Sequence, residues 1–168
     1  MKKLPIPFFI ILIAIIGANR LSAQKKIEGT YAIRNVKSGL QLRVKDAGSA
    51  NGTPLVMYNP IEWKCMTWDF RPSEGSSYQL KNVLTGKTVQ QKKEGENGTL
   101  EEQPLTEKAA AQLYDFEEAG KGRYRIRLKS AGLYLSDEKG EVNAPVTLAK
   151  KSDSPAQLWT LHEQHPTI

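Results

Sequence analysis

An all-β fold of twelve short strands, grouped as three four-stranded units about a pseudo-threefold axis, is predicted by three features of this sequence. First, a pattern recurs at steps of about 46 residues: Tyr31, Tyr78 and Tyr124 open the units, and Trp68, Tyr114 and Trp159 close them. Second, Gly39, Gly86 and Gly132 each follow the opening tyrosine by eight residues, where a first hairpin must reverse. Third, the strong apolar runs alternate over a few residues between turn signals, which is strand patterning; none sustains a helical period. A unit of this size cannot bury its own apolar face, so three copies must share one core.

Residues 1–23 are set aside first. Lys2 and Lys3, an apolar run from Phe8 to Ile16 and small residues at Ser22 and Ala23 form the pattern of a secretory signal peptide. The run is short for a membrane span, which needs about 20 residues; an uncleaved amino-terminal anchor is the alternative. Cleavage after Ala23 predicts a secreted or periplasmic protein with no stable membrane insertion. It also removes Lys2, Lys3 and Arg20, leaving 21 basic against 18 acidic side chains, net +3. Most of the apparent basicity is therefore export signal. The remaining lysine pairs, Lys92-Lys93 and Lys150-Lys151, fall in turn-like segments and make no basic stripe, so nucleic acid is not an expected partner.

In the first unit the alternating runs are 31–35, 40–44, 55–58 and 67–70. Ser38-Gly39, Thr85-Gly86 and Ala131-Gly132 supply residues that tolerate positive φ at the first reversal. Asn51-Gly52, Asn97-Gly98 and Asn143-Ala144 mark the second. Both Asn-Gly pairs precede Thr and match a glycosylation acceptor, but turn chemistry alone accounts for them. The alanine-rich stretch 107–111 departs from the strand pattern and predicts a helical turn. Leu42, Val89 and Leu135 hold equivalent second-strand positions and join the three closing aromatics as the expected core. Cys65 is the only cysteine, so no internal disulfide contributes to stability. Its place beside the core aromatic Trp68 marks it as a small buried hydrophobe rather than a reactive thiol.

These closings carry a family resemblance. Gln157-Leu158-Trp159 is an intact Gln-any-Trp motif, Gln112-Leu113-Tyr114 keeps it with tyrosine, and Met66-Thr67-Trp68 alters it. With Gly29-Thr30-Tyr31, Ser38-Gly39 and the run from Ala50 to Leu55, the chain resembles the ricin B-type lectins over Gly29 to Leu161. The resemblance implies a β-trefoil over residues 24–161, followed by a polar tail at 162–168. It also implies a shallow sugar pocket on each repeat. There an aspartate accepts hydrogen bonds from adjacent hydroxyls, a third-strand aromatic stacks on the sugar face, and an amide lies before the closing motif. The matching positions are Arg43, Tyr58 and Cys65 in the first repeat, Gln90, Gln103 and Ala111 in the second, and Ser136, Ala149 and Ala156 in the third. No repeat keeps the whole set.

The first repeat keeps most. Tyr58 is aromatic, Asn59 follows it, and Trp63 stands in the next loop where the other repeats are polar, near Lys108 and Asp153. Two roles are open to Trp63: a stacking surface, or a cap over the barrel core. Arg43 could donate to sugar hydroxyls or recognise an acidic sugar; as a surface arginine it would pair with Glu62 or Asp46. Carbohydrate binding without catalysis, at Tyr58, Asn59, Trp63 and Arg43, is thus the expected function, and a glycan or polysaccharide the expected partner. The alternative is a protein-binding trefoil, of protease-inhibitor or receptor-docking type, using the segments 71–77 and 59–64. No cofactor is expected: His162 and His165 lie in the tail and, with one cysteine, cannot build a closed zinc site. The carboxylate pairs Glu101-Glu102 and Glu117-Glu118 point to opposite strand faces, unlike a glycosidase pair, and no phosphate-cradling glycine loop is present.

Overall fold

The computed structural model describes residues 26–168, and the signal-peptide reading of 1–23 lies outside them. Twelve strands follow in order. The first unit holds β1 (Thr30–Asn35), β2 (Gln41–Val44), β3 (Leu55–Tyr58) and β4 (Trp68–Pro72). The second holds β5 (Ser77–Asn82), β6 (Thr88–Gln91), β7 (Leu100–Gln103) and β8 (Tyr114–Glu118). The third holds β9 (Arg123–Leu128), β10 (Leu133–Ser136), β11 (Thr147–Ala149) and β12 (Trp159–Glu163).

First and fourth strands of the units close a ring, β1–β4–β5–β8–β9–β12 and back to β1, all antiparallel. The hairpins β2–β3, β6–β7 and β10–β11 cover one end. They join one another cyclically through the bridges Pro54↔Glu101, Thr99↔Thr147 and Val56↔Pro145. Closing the ring removes the sheet edge that an open six-stranded barrel would expose. The architecture is a β-trefoil.

All six expected core residues are fully buried, each at 0% exposure, and Cys65 is buried beside them. Their arrangement adds a detail. Each closing aromatic donates to the carbonyl of its own unit's second-strand core residue: Trp68 Nε1 to Leu42 (3.4 Å), Tyr114 Oη to Val89 (3.2 Å) and Trp159 Nε1 to Leu135 (3.1 Å). A second hub was not apparent in the sequence. Asn35 Nδ2 donates to the Ala156 and Leu158 carbonyls while its Oδ1 accepts from Lys37 and Ser38 N–H. Asn82 repeats the pattern with Cys65, Thr67, Leu84 and Thr85. Each asparagine thereby ties its hairpin turn to the closing segment of the preceding unit. The available signal was Asn at the same offset in two units; Leu128 breaks it in the third.

The helical turn expected at 107–111 occurs as a 3-10 turn at Ala110–Gln112, and its counterparts Lys64–Met66 and Pro155–Gln157 precede the other two closing aromatics. Sequence patterning missed these because a three-residue turn leaves no periodicity. The reversals use positive φ as expected: Gly39, Gly86 and Gly132 lie at +73°, +70° and +66°.

The last strand extends beyond the expected boundary at Leu161. His162 pairs with Ala32 and Glu163 with Tyr31, and Gln164 is buried. A frayed tail from 162 is thus corrected, and the cause lies in the first unit. In the other units the glutamine of the closing motif holds the loop ahead of it: Gln112 Oε1 accepts from Thr106 N–H and Gln157 Oε1 from Ser152 N–H, both at 2.9 Å. Met66 cannot do this. Gln41 and Gln164 take over, Gln41 Oε1 accepting from Ile61 N–H and Gln164 Nε2 donating to the Ile61 carbonyl. Gln164 Oε1 also accepts from Thr67 Oγ1 (2.8 Å). Gln164→Ala should therefore cost about 1 kcal/mol, and amide exchange at Lys64, whose N–H is bonded to the Ile168 carbonyl, should quicken; unchanged exchange there would refute the tail's holding role.

Candidate functional site

The first-repeat candidates come from three adjacent pieces: Arg43 from β2, Tyr58 from the end of β3, and Trp63 just before the 3-10 turn. Arg43 and Tyr58 project to one side because Arg43 pairs with Val56, two residues before Tyr58. The Arg43 guanidinium carbon lies 4.1 Å from the Tyr58 ring centroid, a cation–π contact. The Tyr58 and Trp63 rings stack at 6.3 Å between centroids with 28° between their planes. Arg43, Tyr58 and Trp63 are thus one cluster. Asn59 is exposed next to it but does not line the adjoining groove.

That groove has a volume of ≈ 350 Å³ and is lined by Arg43, Ala47, Trp63, Lys64, Leu84 and Ile168, with Cys65 at its base. Its walls are almost wholly apolar, and Leu84 and Ile168 are exposed there. Leu84 comes from the second unit's hairpin turn and Ile168 from the docked tail, so the groove exists only because three distant segments meet. The two readings of Trp63 prove compatible: one part packs against the core cluster and another faces the groove. Arg43 corrects the expectation of a surface arginine. It is only 8% exposed, its one ionic neighbour is Asp46 at 3.7 Å, and Glu62 instead accepts from His165 N–H. A stacked sugar could not use the Tyr58 face that Arg43 covers, so Trp63 is the platform open to the groove.

Corresponding positions in the other repeats are occupied internally. Gln90 Oε1 accepts from Gln112 Nε2, Gln103 donates to Glu101, and Ser136 donates to Glu138. Ala156 is fully buried. A larger cleft of ≈ 530 Å³ lies between the 71–77 segment and the second repeat, where Arg71, Lys81 and Lys108 alternate with Glu74 and Glu107. Among the described residues no group of three or more His, Cys, Asp and Glu side chains could hold a metal ion. His162, in contact with Thr160 Oγ1, has its pKa lowered by burial and by Arg34 nearby, which keeps the ring neutral at pH 7.

Comparison with known proteins places this geometry. The designed threefold-symmetric protein ThreeFoil superposes with a TM-score of 0.77 at 19% identity, covering 81% of this chain and 99% of that one. An exo-β-1,3-galactanase from Clostridium thermocellum matches at 0.74 and 21% identity over 79% of this chain, which spans only 30% of that enzyme. The ricin B-like lectin of Macrolepiota procera, solved in complex with lactose, matches at 0.67 and 18% identity, covering 82% of this chain and 99% of that one. Identities this low speak for the fold alone. No curated protein matches the sequence. A family model described as ricin-type β-trefoil lectin domain-like matches residues 64–149, just over half of the chain. With the closed barrel, the cyclic hairpins and the three closing aromatics, this match establishes that the chain belongs to the ricin-type β-trefoil lectin domain-like family.

Proposed function

We propose that this protein is an exported, non-catalytic carbohydrate-binding module that takes glycan in its first repeat. The observation that carries the reading is the Arg43–Tyr58–Trp63 cluster beside an apolar groove, in the one repeat whose pocket positions are not closed by internal hydrogen bonds. An aromatic wall with one or two polar groups at its edge is the usual chemistry of a sugar site. The lactose complex of the Macrolepiota procera lectin adds support from a protein of the same fold. Export rests on the 1–23 pattern; amino-terminal sequencing of the secreted product should begin at Gln24.

On a glycan array, Trp63→Ala should weaken binding by about tenfold through loss of ring stacking. Tyr58→Ala should weaken it too, by removing the surface that positions Arg43. Unchanged binding in both variants would eliminate this site. A protein-binding role is the second reading, favoured by the mixed-charge cleft beside 71–77 and by the internally satisfied second and third repeats. Recovery of one defined protein partner, without any glycan signal, would select it.

A further inference from the structure

Arg43 has an unmet requirement. A guanidinium presents five N–H donors in a planar fork, yet among the described residues the Arg43 side chain makes no hydrogen bond. Its Nε is sealed from solvent without a partner. Asp46 lies at 3.7 Å from a terminal nitrogen, in ion-pair range but beyond hydrogen-bond length, and is itself 72% exposed. The Tyr58 ring offers its π face and accepts none of the in-plane donors. A guanidinium so deeply buried normally has its donors matched, because leaving them unmatched costs free energy. The fold does not require a charge here, since Gln90 and Ser136 hold the equivalent places in the other two repeats.

The groove around Arg43 indicates what is missing. Lys64 also lines it and has no ion pair among the described residues, while no acidic side chain lines it at all. The Ile168 carbonyl is already engaged by Lys64 N–H. Two cations therefore face a space whose other walls are Ala47, Trp63, Leu84 and Ile168, and apolar walls strengthen an attraction that water would weaken. Neutral hydroxyls would satisfy the donors but leave this charge excess uncompensated.

Building on the first-repeat reading above, we propose that the groove selects an anionic sugar residue, whose carboxylate or sulfate oxygens meet Arg43 and Lys64 while its apolar ring face lies on Trp63. Planar bidentate pairing with Arg43 suits a carboxylate, and a sulfate offers the same oxygen pair. Both are the same chemistry for this site: two anionic oxygens carried on a pyranose.

The test uses an array of matched pairs probed with the full chain: glucuronate-ended against glucose-ended oligosaccharide, sialyl-lactose against lactose, and 6-sulfated against unsulfated galactose. At least one anionic member should bind about tenfold more strongly than its neutral partner, as charge-assisted hydrogen bonds would give, and the pair that does so identifies carboxylate or sulfate. The preference should shrink as salt rises. Arg43→Met and the more exposed Lys64→Met should each bring the ratio towards one; the second guards against misfolding of the first. Equal binding within every pair overturns the anionic preference and leaves carbohydrate binding standing. No binding to any glycan overturns both.

Discussion

Trp159→Ala should lower folding stability by about 3–5 kcal/mol, the usual cost of deleting a buried aromatic side chain. The indole is fully buried, and its loss opens a cavity where the third unit's closing strand meets the shared core. It also leaves the Leu135 carbonyl without the 3.1 Å bond from Nε1, in a place water does not reach. Trp68→Ala should behave alike, because Trp68 holds the equivalent place against Leu42. Tyr114→Phe isolates the polar part: it retains the ring and removes only the bond to Val89, so about 1 kcal/mol is expected. Urea denaturation of the three variants checks the pattern. Losses below about 1 kcal/mol for both alanine variants would contradict a core in which neighbours cannot collapse into the space left.

Glu102→Met should do the opposite and stabilise the protein at neutral pH, by about 1–4 kcal/mol, the range found when buried ionic groups give way to apolar ones of similar size. Strand register supplies the reason. Leu42 pairs with Met57, Leu135 with Leu148, and Val89 with Glu102, so a carboxylic acid occupies a place that is apolar in the other two units. All three of those third-strand side chains are at 0% exposure. Thr85 Oγ1 donates to Glu102 Oε1 at 2.7 Å, but Oε2 has no partner. Burial raises the Glu102 pKa, with the Thr85 bond and the Lys87 charge opposing it.

A raised folded-state pKa means the folded protein holds this proton more tightly than the unfolded chain. The contribution of the group is then fully present below the ordinary carboxylate pKa and is lost as pH rises through the higher folded value. Glu102→Gln keeps an acceptor for Thr85 and cannot ionise. Relative to wild type, its denaturation midpoint should therefore rise as the medium moves from acid to neutral. A constant difference across that interval would show that Glu102 does not titrate abnormally.

Glu102 also shows how far the sequence could be read. Beside Glu101 it looks like one of two acids on alternate faces of a strand, and only its alignment with Met57 and Leu148 turns one of those faces inward. Trp159, by contrast, was identifiable as core from its phase in the repeat. At the candidate site the sequence singled out Arg43, Tyr58, Asn59 and Trp63. The structure brings Arg43, Tyr58 and Trp63 into contact and leaves Asn59 outside the groove. It adds Lys64, Leu84 and Ile168, and nothing in the local pattern near 84 or 168 marks either as a neighbour of Trp63.

The sequence by itself determined the threefold plan of twelve strands, the glycine reversals and the six residues at the centre of the core. Each of these is written in short-range periodicity repeated three times, and repetition makes a weak local signal unambiguous. Tertiary structure alone decided that the tail docks, that Arg43 is buried without hydrogen bonds, and that a groove forms beside Trp63. These features arise where the symmetry fails: Met66 lacks the amide that holds the equivalent loops, and the chain replaces it with Gln41 and Gln164 from far along the sequence. A contact between residues a hundred positions apart depends on closure of the barrel, which local patterning can require but cannot place.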